Sequence, residues 1–83
     1  MLPESIANYL TQAARAARTA MPDANTSLFQ TGVLDSFSLV EFVALIEGEC
    51  GIRVADAELR PENFETVAKI EQYIRRAQAE LAA

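Results

Sequence analysis

The 83-residue sequence contains no histidine and only one cysteine, Cys50. Without histidine, the chain has no Ser-His or Cys-His pair and lacks the commonest general base near neutral pH. One thiol cannot form an internal disulfide, and without histidine it cannot complete a usual zinc site. Independent catalysis and metal binding are therefore disfavoured, and a reducing, cytoplasmic location fits best.

Charge and hydrophobic patterning narrow the class of partner. Twelve acidic and seven basic residues give a formal charge of -5, whereas proteins that bind nucleic acids need clustered lysine and arginine. No apolar run approaches the roughly 20 residues that cross a bilayer, and the N-terminus lacks the basic and apolar stretches of a secretion signal. We expect no nucleic acid and no membrane insertion, and partner proteins with basic surfaces.

The low content of glycine and proline, together with 51% hydrophobic residues, is typical of a folded chain. The chain is near the small end of those that fold alone, so nearly all apolar residues must share one core. We therefore expect residues 1–83 to form a single domain that is a monomer.

Apolar residues at helical spacing predict three main helices. The first runs from Pro3 to about Ala20, the second ends at Gly51 as a C-terminal cap, and the last begins after a capping hydroxyl on Thr66. Their apolar positions are Ile6, Leu10, Ala13, Ala14 and Ala17, then Leu39, Phe42, Val43, Ile46 and Cys50, then Val67, Ile70, Ile74, Ala77 and Leu81.

The connecting segments are also informative. Residues 21–35 carry turn formers, but Leu28, Val33 and Leu34 predict a long loop packed on the core, and such loops are often functional. Residues 52–54 are β-branched but have no second strand to pair with, so we expect an extended segment that packs on the core. Residues 56–64 should hold a turn or a short third helix around Pro61.

Several residues are candidates for chemistry, and most have a plainer interpretation. Glu41, Glu47 and Glu49 share one helix without the opposed geometry of a catalytic carboxylate pair, so a solvated acidic face is favoured. Cys50 ends an apolar stripe and is read as a small core residue. A small esterase that uses Ser36 as its nucleophile would need a base that the chain lacks.

Ser36 lies at or beside the start of the second helix. There the first N–H groups have no partner within the helix and the helix dipole is positive, so a phosphodiester on the Ser36 oxygen would be favourably placed. Asp35 fits the N-cap and could help to bind the Mg²⁺ that accompanies a phosphate donor. An arbitrary Asp-Ser pair before an apolar helix is nevertheless more often only a cap.

The order of motifs around this pair resembles the acyl and peptidyl carrier protein family. The resemblance covers residues 28–74 and rests on LFQTGVLDS at 28–36, VEFV at 40–43, GIRV at 51–54 and TVAKI at 66–70. It implies an all-α four-helix bundle with a long first loop and a short third helix. It also implies that Ser36 carries a covalent 4'-phosphopantetheine arm derived from coenzyme A.

By the same resemblance, the chain would not be an enzyme. It would hold an acyl or aminoacyl group as a thioester on the arm, because the pantetheine thiol supplies the nucleophile that the chain lacks. Its partners would be a phosphopantetheinyl transferase, an adenylating ligase or acyltransferase, and downstream acceptor enzymes. The expected docking strip is Phe37, Val40 and Ala44, flanked by Glu41 and Glu47; the alternative for Val40 is the core.

Three positions depart from the pattern of fatty-acid carriers. Phe37 stands where leucine is usual, Ser38 where aspartate is usual, and Gly48 interrupts the acidic run of the second helix. These differences favour a specialised carrier of secondary metabolism. The D-S-F variant and the segment PENFET at 61–66 resemble stand-alone carriers for aminoacyl, D-alanyl or methoxymalonyl units. Gly48 suggests close approach by another helix or by a partner. An unmodified helical interaction module with the carrier fold stays open as an alternative.

Overall fold

The computed structural model describes residues 2–82 of the chain and consists of helices and loops. The first helix, α1, spans Glu4–Ala16, α2 spans Ser36–Cys50, and α3 spans Val67–Ala82. Two single-turn 3-10 helices, Asp56–Glu58 and Pro61–Asn63, lie between α2 and α3. The all-α prediction is therefore confirmed, and the described residues contain no strand.

The predicted count of four helices is not confirmed. At the place expected for a short third helix, the chain makes two separate turns, with Glu58 N–H donating to Ala55 O at 2.8 Å and Phe64 N–H to Pro61 O at 3.0 Å. Pro61 has no N–H to continue a helical ladder. No side chain of either turn is buried, so this segment has no apolar face that would stabilise a longer helix.

The first helix ends four residues before the predicted boundary near Ala20. Arg18 adopts φ 56°, and its N–H donates to Arg15 O while Thr19 N–H donates to Ala14 O. This bond pattern is a Schellman motif, which usually has glycine at the left-handed position. The apolar spacing continued through Ala17 and therefore concealed the end of the helix.

One core unites the helices and the long loop. Helix α1 buries Ile6, Leu10 and Ala14. The long loop between α1 and α2 adds three apolar side chains that are 3% exposed or less. Burial of such side chains stabilises each by about 1.5–3 kcal/mol, so the loop is part of the folded structure, as predicted. These loop residues are Leu28, Val33 and Leu34, and Pro22 of the same loop is buried as well.

The long loop is also fixed by hydrogen bonds to the residues that precede α3. Leu28 N–H donates to Glu65 O at 2.8 Å, and Ser27 Oγ donates to Glu65 Oε2 at 2.6 Å. Leu34 N–H then donates to Leu28 O at 2.9 Å, one residue before Asp35. These bonds hold the start of α2 in place against the rest of the molecule.

The predicted extended segment after α2 is confirmed. Gly51 caps α2 with φ 67°, a left-handed conformation that glycine adopts without steric cost. Ile52 and Val54 are then buried, while Arg53 between them is exposed. The predicted cap of α3 is confirmed as well, because Thr66 Oγ1 accepts a hydrogen bond from Lys69 N–H at 3.2 Å. No helix among the described residues is long and apolar enough to span a membrane.

Candidate functional site

At the start of α2, the side chains of Asp35 and Ser38 each accept a hydrogen bond from the other residue's backbone N–H group. Asp35 Oδ1 accepts from Phe37 N–H and from Ser38 N–H, both at 2.9 Å, and Ser38 Oγ accepts from Asp35 N–H at 2.9 Å. This is a capping box with serine at its third position. The prediction that Asp35 caps α2 is confirmed, and Ser38 is a capping residue that the sequence analysis missed.

The cap keeps Asp35 negatively charged. The hydrogen bond from Ser38 N–H is the main cause that lowers the pKa of the Asp35 carboxyl below its usual value. Desolvation opposes it, and the hydrogen bond from Phe37 N–H adds a smaller lowering effect. An ionised carboxylate beside Ser36 repels an incoming phosphate group. A metal ion or a basic side chain of another protein would have to offset this repulsion.

Ser36 is the first residue of α2 and is exposed. Within the part of the chain that the structure describes, its hydroxyl has no hydrogen-bond partner, and its N–H is also unpaired. The Asp35 carboxylate uses the next two N–H groups of the helix. The N-terminus of α2 therefore offers a phosphate one free N–H group, fewer than the sequence analysis assumed.

These surroundings fit a covalent arm on Ser36 better than catalysis by Ser36. The hydroxyl is accessible and uncommitted, so ester formation would break no hydrogen bond among residues 2–82. No side chain in that range accepts a proton from it, so the described residues hold no base in contact with this oxygen. Asp35 Oδ2 accepts none of the bonds of the cap and is free to contact a Mg²⁺ ion that a phosphate donor brings.

The outer face of α2 carries an apolar strip beside Ser36. Phe37 is 87% exposed, Val40 is 58% exposed, and Ala44 is also exposed. The alternative prediction that Val40 packs in the core is therefore wrong. Large apolar side chains with this exposure commonly mark contact sites for other proteins. The opposite face of α2 holds the core residues Leu39, Phe42, Val43 and Ile46.

The two glutamates expected beside this strip both have partners within the chain. Glu41 lies beside Tyr9 of α1, and burial, the negative charge of Glu41 and a hydrogen bond to it together raise the pKa of the Tyr9 hydroxyl. Glu47 Oε2 accepts a hydrogen bond from Val54 N–H at 2.8 Å. Sequence reasoning missed both contacts because neither partner residue is adjacent to its glutamate in the sequence.

An open groove of about 580 Å³ begins at the apolar strip. Val40 and Ala44 of α2 line one side, and Val54 and Leu59 line the other. Val40 follows Ser36 by one helical turn, so the two side chains share a face of α2. The groove therefore borders the side of α2 on which Ser36 lies.

Cys50 and Gly48 have simple surroundings. Cys50 is half-buried against the core, and burial, with a smaller effect of the Glu49 charge, raises the pKa of its thiol. This environment agrees with the predicted packing role and disfavours the reactive thiolate. A Cβ atom added at exposed Gly48 would meet no atom within 4 Å, so close packing within the described chain does not explain this glycine.

Comparison with known families agrees with this geometry. The family model described as PP-binding, phosphopantetheine attachment site, matches residues 5–74. No curated protein and no solved structure matches the chain. Domains of this family are the attachment site for covalent 4'-phosphopantetheine, are generally non-catalytic, and work with phosphopantetheinyl transferases and catalytic partners. Because the match covers most of its residues, the chain belongs to this phosphopantetheine-binding family of acyl and peptidyl carrier proteins.

Proposed function

We propose that Ser36 is the residue that carries the 4'-phosphopantetheine arm, and that the chain acts as a single carrier domain for an acyl or aminoacyl thioester. The observation that supports this proposal is the accessible, unbonded Ser36 hydroxyl at the first position of α2. The site lies inside the matched range, residues 5–74. The thiol of the arm supplies the sulfur on which cargo is held.

Attachment needs chemistry that a transferase must provide. Ser36 Oγ forms the new bond to the phosphorus of coenzyme A that bears pantetheine, and the bond from that phosphorus to 3',5'-ADP breaks. The serine proton passes to a base of the transferase, because the described chain has no base in contact with this hydroxyl. Mg²⁺ and basic groups of the transferase offset the charges of Asp35 and the phosphate.

The surface around Ser36 supports a presenting role. The exposed strip of Phe37, Val40 and Ala44 offers an apolar contact beside the arm, and α2 contains three glutamates and no basic residue. An apolar patch with an acidic surround favours partner enzymes with basic surfaces, since charge complementarity accelerates encounter between proteins. These partners include the transferase, an adenylating ligase or acyltransferase, and downstream acceptor enzymes in the cytoplasm.

The residues beside the site favour a specialised cargo. Phe37 presents a large ring next to the arm, Ser38 gives the cap a neutral hydroxyl, and Gly48 leaves a gap in the acidic surface of α2. We expect partner enzymes that load or accept an aminoacyl, D-alanyl or methoxymalonyl unit. Loading assays with adenylating enzymes of defined amino-acid specificity would test this expectation, and transfer of fatty acyl groups alone would contradict it.

Intact-mass measurement tests the attachment residue. The purified chain is incubated with a broad-specificity phosphopantetheinyl transferase, coenzyme A and Mg²⁺, and the mass should rise by one phosphopantetheine. Ser36→Ala should show no increase, while the matched control Ser38→Ala should still be modified. No increase in the wild-type chain would favour the unmodified interaction module, and an increase that survives Ser36→Ala would place the arm elsewhere.

A further inference from the structure

The segment that follows α2 depends on few backbone hydrogen bonds. Among residues 52–55, Val54 has the only N–H group with a partner in the described structure, and that partner is Glu47 Oε2 at 2.8 Å. Ile52 and Val54 anchor the segment through side chains that are 3% and 8% exposed. Its position relative to α2 therefore depends on two buried side chains and one hydrogen bond.

Glu47 supplies the acceptor for a nearly buried N–H group. Its Oε2 atom reaches the N–H of a residue seven positions later in the chain. Val54 is 8% exposed, so water offers its N–H only a limited alternative, and an unpaired buried N–H is costly. Loss of the Glu47 acceptor should therefore move or loosen the segment at Val54.

The same bond crosses the groove beside the apolar strip. Glu47, Val40 and Ala44 belong to the α2 side of the groove, whereas Val54 and Leu59 belong to the facing side. Helix α2 is regular and packed on the core, whereas residues 52–55 have one N–H group with a partner among the described residues. The segment after α2 is therefore the side that the Glu47 bond can position. The hydrogen bond from Val54 N–H to Glu47 therefore fixes the distance between the two sides.

We propose that Glu47 is a positioning residue, which holds residues 52–55 against α2 and thereby sets the width of the groove next to Ser36. The position of Oε2, rather than the negative charge of the side chain, is what the role requires. The effect of this groove width on the presentation of cargo rests on the proposed carrier function. The hydrogen bond itself is independent of whether Ser36 is modified.

Two substitutions separate the position of the carboxylate from its charge. Glu47→Gln keeps the length of the side chain and an acceptor oxygen but removes the charge. Glu47→Asp keeps the charge but shortens the side chain by one methylene. Neither substitution removes the side chain, and Glu47 is only half-buried, so both variants should fold. Glu49→Gln and Glu49→Asp are matched controls, because the exposed side chain of Glu49 makes no hydrogen bond to the described residues.

Amide hydrogen exchange of the unmodified chain, followed by NMR, gives the readout. We expect Glu47→Asp to accelerate exchange at Val54 N–H about tenfold or more, with a change in its proton chemical shift, and Glu47→Gln to stay within about threefold of wild type. Exchange at Ile46 and in both Glu49 variants should not change. A Val54 rate that increases in Glu47→Gln but not in Glu47→Asp, or in neither variant, would overturn the proposal.

A loading assay keeps this result distinct from the proposed function. Wild type, Glu47→Asp and Glu47→Gln are each incubated with the transferase and coenzyme A, and the modified fraction is measured by mass. Absence of modification in wild type contradicts the carrier function but leaves the exchange result valid. Wild-type loading together with unchanged Val54 exchange in both variants contradicts only the role of Glu47.

Discussion

Ser36 and Ser38 are the same residue type, two positions apart, with different surroundings. Ser38 stands three residues after the cap, so its hydroxyl reaches the N–H of Asp35 at 2.9 Å. Ser36 is the first residue of the helix, where a side chain has no free backbone group of the preceding turn to bind. The geometry of the helix start therefore commits one hydroxyl and leaves the other available.

Asp35 should make the stability of the protein sensitive to acid. Its carboxyl pKa is lowered in the folded chain by hydrogen bonds from Ser38 N–H and Phe37 N–H. Above the unfolded-state pKa of about 3.9, both states are ionised and the stabilisation is fully present. As the pH falls from there through the folded-state pKa, the unfolded state takes up a proton first, and the stabilisation is lost.

Thermal unfolding of wild type and Asp35→Asn between about pH 6 and about pH 2.5 measures this effect. Asparagine also caps helices well, so the variant should fold but lack the titrating group. We expect the advantage of wild type over Asp35→Asn to shrink as the pH falls below about 4. Ser36→Ala removes no carboxyl group and should follow wild type. A difference in unfolding temperature between wild type and Asp35→Asn that stays constant or grows in acid would contradict the stabilising role of the ionised Asp35 carboxylate.

Local signals in the sequence predicted the cap residues well. Asp35, Gly51 and Thr66 each act within three or four residues of their own position, and all three predictions are confirmed. The contacts of Glu41 with Tyr9 and of Glu47 with Val54 depend on how α1 and the segment after α2 pack. No local pattern contains that information, so the sequence predicted only that these carboxylates face outward.

At the scale of elements, the same limit explains the errors in boundaries. The first helix was predicted to reach Ala20 because alanines continue the apolar spacing, while Arg18 ends it in a conformation that arginine rarely adopts. Residues 56–64 were predicted to hold a turn or a short third helix around Pro61, and the family resemblance implied the helix. Its segment forms two 3-10 turns around Pro61 instead. Both differences concern backbone conformations that the side-chain pattern does not encode.

The two glycines of the α2 region should respond oppositely to substitution. Gly48 lies inside the helix, and an added Cβ would meet nothing within 4 Å, so Gly48→Ala should stabilise the protein by about 1 kcal/mol through helix propensity. Gly51 has φ 67°, and Gly51→Ala should destabilise it by about 1–2 kcal/mol because a Cβ is strained there.

Urea unfolding followed by circular dichroism distinguishes the two substitutions, since the transition midpoint moves with stability. The Gly48→Ala midpoint should rise and the Gly51→Ala midpoint should fall. A destabilised Gly48→Ala would mean that the backbone at Gly48 needs glycine for folding. If the variant is more stable but poorly modified by the transferase, the glycine serves the approach of a partner, as the sequence analysis suggested.

At the scale of the whole molecule, charge is distributed unevenly over the surface. The described helix α2 carries Glu41, Glu47 and Glu49 and no basic residue. Three of the seven basic residues, Lys69, Arg75 and Arg76, lie on α3. Helix α3 also carries Glu71 and Glu80, so α2 is the most negatively charged of the three helices in a chain of net charge -5. A basic partner would be steered toward this helix by long-range attraction.

Salt dependence of Ser36 loading tests whether this field guides the transferase. Raising NaCl from about 0.1 M to about 1 M shortens the screening length from about 10 Å to about 3 Å. We expect kcat/KM for the carrier to fall roughly tenfold, because screening slows the encounter between carrier and transferase. The value of kcat should change little, because it reports the reaction within the complex once the two proteins are bound. Glu41→Gln should weaken the salt dependence, whereas Glu80→Gln, on exposed α3 surface, should not. A kcat/KM that is independent of salt, or an equal effect of the two substitutions, would show that the charge of α2 does not direct docking.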